Sequence, residues 1–98
     1  MLNYETALQV LTNQNLPGWQ KLITRFYDQL PPTVKVEALY QKWGGLHIDI
    51  YPDHPEVARL IDQLEQESRS LCERCGELAK EVQKNGGTHT LCDFHANL

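Results

Sequence analysis

The period of the apolar positions changes along the chain, and those changes predict its elements. Tyr4, Ala7, Leu8 and Leu11 fall on one face of a helix capped by Asn3, until the polar run Thr12-Asn13-Gln14-Asn15 interrupts the pattern. Pro17 opens a second helix, in which Trp19, Leu22, Ile23, Phe26, Tyr27 and Leu30 recur at the i, i+3, i+4, i+7 spacing of a buried stripe. Pro31-Pro32 stops it. From Thr33 the period drops to 2, with Val34, Val36, Ala38 and Tyr40 alternating with Lys35, Glu37, Leu39 and Gln41. Beyond Trp43-Gly44-Gly45 the alternation resumes, placing Leu46, Ile48 and Ile50 on one face and His47, Asp49 and Tyr51 on the other. This predicts an antiparallel hairpin turned by the glycine pair; a helix over residues 36–43 is the alternative, which Ala38, Leu39 and Gln41 would tolerate. Asp53 with Glu56 then reads as an N-terminal capping pair, and Pro55 suits the first turn of a third helix. Val57, Leu60, Ile61, Leu64 and Leu71 form its core-facing stripe, opposite Asp62, Glu65 and Glu67.

Composition places limits on this picture. A chain of 98 residues with 41% hydrophobic residues builds one modest core, of a size that gains from an additional staple. No repeat, linker or low-complexity segment divides it, so residues 1–98 are expected to form a single α+β domain, with a helix and hairpin body over 1–71 and a metal-binding subregion over 72–98. No run approaches the roughly 18 apolar residues of a membrane span, and the start of the chain lacks the pattern of a signal peptide, so a cytoplasmic protein is expected. The formal charge of −4 is uneven. Asp53, Glu56, Asp62, Glu65 and Glu67 face only Arg59 and Arg69 within residues 52–71, whereas Lys21, Arg25, Lys35 and Lys42 are scattered and balanced by acids. That distribution disfavours binding to a phosphate backbone.

The chemistry lies near the C-terminus. Cys72-Glu73-Arg74-Cys75-Gly76 and Cys92-Asp93-Phe94-His95 are two ligand pairs, each with two residues between its members. Three cysteines cannot all pair with one another, and the Cys-x-x-Cys spacing in a reducing compartment points to metal. Zinc takes four such ligands in a tetrahedron, and a glycine after the second cysteine lets backbone N–H groups turn toward the thiolates. Between the pairs, Leu78–Val82 and Thr88–Leu91 flank Lys84-Asn85-Gly86-Gly87, a tight hairpin turn. Knuckle, hairpin and two ligands at the start of a short helix is the order of a treble clef or zinc ribbon, and only Ala96, Asn97 and Leu98 follow the last ligand. His89 is an alternative to His95, and a redox dithiol at Cys72 and Cys75 is the competing chemistry.

Other candidates are weaker. His47, Asp49, Tyr51 and His54 invite a catalytic reading, but alternating polar residues on the outer face of a sheet have the same pattern. Trp43 beside two glycines is a candidate anchor for a protein partner, and Asp62 and Glu65 on the acidic helix face are candidate contacts for a basic surface. No nucleophile triad or phosphate-cradling loop is visible, so no enzyme is expected.

Gly18-Trp19, Leu22-Ile23, Tyr40-Gln41-Lys42-Trp43-Gly44-Gly45-Leu46-His47, Cys72-x-x-Cys75-Gly76 and Thr90-Leu91-Cys92-Asp93-x-His95 together carry a likeness. Over about residues 17–95 the chain resembles a group of small bacterial and phage proteins with no assigned activity. Their pattern runs Gly-Trp, Lys-Glu-Lys-Phe-Gly-Gly-Leu-Arg-Phe-Tyr, Cys-x-x-Cys-Gly and Thr-Leu-Cys-Asp-x-His. The chain departs from it at Gln41-Lys42-Trp43 and Leu46-His47-Ile48-Asp49. The resemblance implies the same four metal ligands in one domain. The function expected is that of a zinc-stapled, non-catalytic protein-interaction module, such as a phage or mobile-element accessory or inhibitor protein. A nucleic-acid-associated regulatory zinc finger is the alternative.

Overall fold

The computed structural model describes all residues from Met1 to Leu98. Helix α1 spans Tyr4–Asn13, with Asn3 Oδ1 accepting from the Thr6 N–H at 2.8 Å. It ends for a backbone reason. Asn15 adopts φ 64°, and the Leu16 and Asn15 N–H groups bond back to the Leu11 and Thr12 carbonyls at 2.8 and 3.0 Å, the paired closure of a Schellman cap. A single 3-10 turn, Pro17–Trp19, leads into α2, Gln20–Asp28, which buries Leu22, Ile23 and Phe26.

Strands β1 (Lys35–Lys42) and β2 (Gly45–Tyr51) form the first antiparallel hairpin, so residues 36–43 are not helical. The inward set in β1 differs from the simple alternation. A bulge between Val36 and Ala38 inserts Glu37, with Val36 opposite Ile50 and Ala38 opposite Asp49. The extra residue reverses which side faces in, so Leu39 is buried while Ala38 and Tyr40 are only half-buried.

Helix α3 spans Pro55–Ser68 and packs across β2. Its cap is His54, whose Nδ1 accepts from the Val57 N–H at 3.2 Å, in place of the expected Asp53–Glu56 pair. With Pro55 in the first helical position, Asp53 lies one residue too far upstream to cap. Strands β3 (Lys80–Lys84) and β4 (Gly87–Leu91) form a second antiparallel hairpin, and a single-turn helix α4, Asp93–Ala96, follows. The fold is therefore α+β with four helices, one more than the sequence pattern predicts, and two separate two-stranded sheets. No helix is long and apolar enough to cross a membrane.

The apolar core is confined to the first two thirds of the chain, where Trp19, Ile23, Phe26, Val36, Leu46 and Leu64 are almost completely buried. Arg25 on α2 forms a two-pronged pair with Glu67 on α3, at 2.8 and 3.0 Å. Both side chains are exposed enough that the pair contributes only about 0.5 kcal/mol. The chain start is tied down by the Leu2 N–H to the Val36 carbonyl at 2.9 Å and by the Tyr27 hydroxyl, which donates to the Leu2 carbonyl at 2.6 Å.

Burial pushes the Tyr27 phenol up to about 12 from its ordinary 10. The folded state thus holds this proton more tightly than the unfolded chain, so the stability it confers is intact below pH 10 and is lost as the pH rises through about 12. Urea unfolding across that interval should show a steep alkaline loss of stability in the natural protein and a shallower one in Tyr27→Phe.

Candidate metal centre

Residues 72–98 have little apolar interior of their own: Cys72 and Leu91 are the only buried hydrophobic residues there. Polar order replaces it. The Cys72 N–H bonds the Glu77 carbonyl at 2.7 Å and the Gly76 N–H bonds the Cys72 carbonyl at 2.8 Å, closing the knuckle, and Gly76 takes φ 82°, which a side chain rarely allows. Cys92 is the cap residue of α4 and His95 lies within that helix, bringing both into the space above the knuckle.

The structure brings Cys72, Cys75, Cys92 and His95 together, with their ligand atoms all within 4.8 Å of one another. A tetrahedral zinc ion requires edges of about 3.8 Å between sulfurs and about 3.6 Å between sulfur and nitrogen. Cys75 and Cys92 sulfurs lie 3.7 Å apart, Cys72 Sγ lies 3.6 Å from His95 Nδ1, and Cys92 Sγ is closer to that nitrogen at 3.2 Å. The donor set therefore fits a tetrahedral thiolate-binding metal, with the histidine offering Nδ1.

Electrostatics favour a cation here. Burial pushes the Cys72 thiol up, but backbone N–H groups of Cys92, Arg74 and Cys75 outweigh it, and the thiol is lowered overall. The Glu77 N–H pulls Cys75 down, yet desolvation and the neighbouring Cys92 and Cys72 sulfurs push it up to about 11. Crowded sulfurs cannot all ionise unaided, whereas a divalent ion displaces their protons.

His89 lies outside the cluster. Its Nδ1 is 3.0 Å from Glu73 Oε2, and because a carboxylate only accepts, the imidazole donates. Glu73 is 2% exposed, and its other oxygen accepts from the Thr90 N–H at 3.1 Å and from Gln41 Nε2 at 3.2 Å. Gln41 also donates to the Thr88 carbonyl at 2.8 Å. One buried carboxylate inside the knuckle thus joins the metal-ligand segment, the second hairpin and the first. Its partners come from β1 and β4, too far along the chain for any local pattern to announce them.

The knuckle rests on the turn before α2. Trp19 Nε1 donates to the Leu71 carbonyl at 3.0 Å, and the Gly18 N–H donates to the Glu73 carbonyl at 2.8 Å. A Cβ on Gly18 would lie 2.0 Å from the Cys72 carbonyl oxygen and 2.6 Å from the Gly76 nitrogen. Glycine is required there for space.

The remaining candidates divide. Glu65, expected on the solvated face, turns toward the first hairpin because residue 69 lies one helical turn on. It accepts from Arg69 Nε and Nη2 at 3.1 and 2.9 Å and faces His47 Nε2 at 3.7 Å. Asp62 stays exposed, and Glu67 is taken by Arg25. Trp43 is exposed at the tip of the first hairpin. His47 stacks on Tyr40 with ring centroids 5.9 Å apart, and His54 caps α3 and lines an open pocket with Asp49, Asp53 and Asp62. No family model, curated protein or solved structure matches this chain at a significant level.

Two substitutions test this seam. Gly18→Ala forces the knuckle away from α2 and should destabilise the metal-loaded protein by about 3 kcal/mol in urea unfolding. Glu73→Ala strands the buried Thr90 N–H and should cost about 2 kcal/mol, while Glu73→Gln, which retains an accepting oxygen, costs markedly less.

Proposed function

We propose that Cys72, Cys75, Cys92 and His95 bind one zinc ion in a closed, treble-clef-like structural site, and that the protein is a small non-catalytic module that binds another protein. The observation that carries the metal reading is the near absence of an apolar interior in residues 72–98, where only Cys72 and Leu91 are buried hydrophobics. A segment that small cannot hold itself by burial, so the free energy of metal binding has to supply its order. Four protein ligands fill a tetrahedron and leave no position for substrate or water.

The non-catalytic reading is supported by the placement of the histidines. His47 is stacked on Tyr40 and aimed at Glu65, His54 caps α3, His89 donates to Glu73, and His95 is in the metal cluster. Each has a structural task. A nucleic-acid-associated role draws little support: the formal charge is −4, Arg25 and Arg69 are paired with Glu67 and Glu65, Lys84 is held by the α4 carbonyls of His95 and Ala96 at 3.3 and 3.0 Å, and the exposed Lys21, Lys35, Lys42 and Lys80 are scattered along the chain. An accessory or inhibitor protein of a phage or mobile element, working in the cytoplasm, is the setting that this reading fits.

Elemental analysis of the purified protein should find one zinc per chain. Chelation, or Cys75→Ser, should abolish amide-exchange protection from residue 72 onward while α1 and α2 keep much of theirs. A metal content well below one per chain in protein that retains that protection defeats the metal reading. For the binding role, the zinc-loaded protein should retain a protein from an extract of its own host and show no salt-dependent affinity for DNA or RNA at physiological ionic strength.

A further inference from the structure

The two hairpins use the same turn and fill it very differently. In the second, Lys84 pairs with Gly87 across Asn85 and Gly86, at φ 53° and 79°. In the first, Lys42 pairs with Gly45 across Trp43 and Gly44, at φ 55° and 85°. Positive φ at both central positions is the mark of a type I′ turn, which Asn-Gly satisfies with little strain. Tryptophan does not. A bulky side chain in the left-handed region is an outlier that persists only where the surroundings impose it.

Here the surroundings are well defined. Arg69 Nη1 donates to the Trp43 carbonyl at 2.9 Å, and the same guanidinium is held by Glu65. A Cβ on Gly45 would lie 2.9 Å from the Arg69 guanidinium, so that group lies close over the turn. On the other side the Gly44 carbonyl accepts from the Thr90 hydroxyl, and Gly44 packs against Thr88 and Thr90. The backbone is clamped by α3 and by β4. The side chain is not: Trp43 is 69% exposed and its indole N–H makes no hydrogen bond within the chain. The fold therefore tolerates strain to present a large aromatic that contributes nothing to its own packing.

We infer that the Trp43 turn is the docking element of this protein, a preorganised anchor whose indole inserts into an apolar pocket of a partner protein. The chemistry of the anchor defines that pocket. It must be wide enough for an indole, carry a hydrogen-bond acceptor for Nε1–H, and have an acidic rim to meet the exposed Lys42 beside it. Lys42 is the only unpaired cation in the turn, since Arg69 is bound by Glu65, and this single charge suits a protein rim better than a phosphate backbone. The inference rests on the protein-binding reading above and specifies its surface.

The test compares zinc-loaded full-length protein with its Trp43→Asn and Trp43→Phe variants. Trp43→Asn converts the first turn to the Asn-Gly form of the second, so it should raise the thermal midpoint by a few degrees. It should also abolish retention of the host protein held by the natural bait, and weaken the purified complex about a hundredfold. Trp43→Phe should lose a smaller part of the affinity, because the ring remains and the N–H donor is gone. In a Trp19→Phe background, emission from Trp43 should shift to the blue on addition of the purified partner. Opposite signs for stability and binding in Trp43→Asn distinguish an anchor from a packing residue. A protein held equally by the natural and Trp43→Asn baits would overturn the inference and leave the binding-module reading intact. Baits that hold no protein at all, or that hold single-stranded RNA instead, would overturn both. A fall in the midpoint of Trp43→Asn would show that Trp43 supports the fold and would also overturn the inference.

Discussion

Everything C-terminal to α3 depends on how the Cys72–Gly76 knuckle is gripped. Its backbone lies against Gly18 so closely that no side chain fits between them, and its central carboxylate, Glu73, is buried among donors from both hairpins. A buried carboxylate is costly to desolvate, and it is tolerated because Thr90, Gln41 and His89 all supply hydrogen bonds to it. These contacts hold the knuckle against the body of the protein. That arrangement places Cys72 and Cys75 where Cys92 and His95 meet them, in one cluster that could hold a metal ion.

The same network reaches the opposite end of the hairpins. Gln41 and Gly44 contact β4 directly, and Arg69 on α3 closes over Gly45. The segment that carries the candidate metal ligands thus touches the Trp43 turn through Thr88 and Thr90, the two residues that back Gly44. His89 and Glu65 belong to this framework, through Glu73 and Arg69 respectively.

Much of the fold is legible in local pattern. The period-3.6 stripes of α1, α2 and α3 and the period-2 runs of the first hairpin mark the elements, because burial of one face is a property of neighbours in sequence. Details that depend on a single backbone event are less visible. The bulge at Glu37 exchanges Tyr40 for Leu39 in the core, and Pro55 moves the cap of α3 from Asp53 to His54. Both changes cost little locally and are decided by what each strand or helix meets on the other side.

The sequence by itself determined the three cysteines of the candidate metal site, since a Cys-x-x-Cys and a Cys-x-x-His pair flanking an Asn-Gly hairpin carry their ligand geometry in their spacing, and the structure places His95, with His89 outside, as the fourth member. Its periodicity also marked α1, α2 and α3 and favoured the first hairpin over a helix at residues 36–43, which the structure settles as a hairpin. Only the tertiary structure decided that Glu73 and His89 form the internal support of that site, that Glu65 braces Arg69 instead of facing solvent, and that Gly18 is the floor on which the knuckle rests. These are contacts between residues far apart in the chain, fixed by packing and hydrogen bonding across elements, and no period or motif along the sequence encodes which distant partner each will meet.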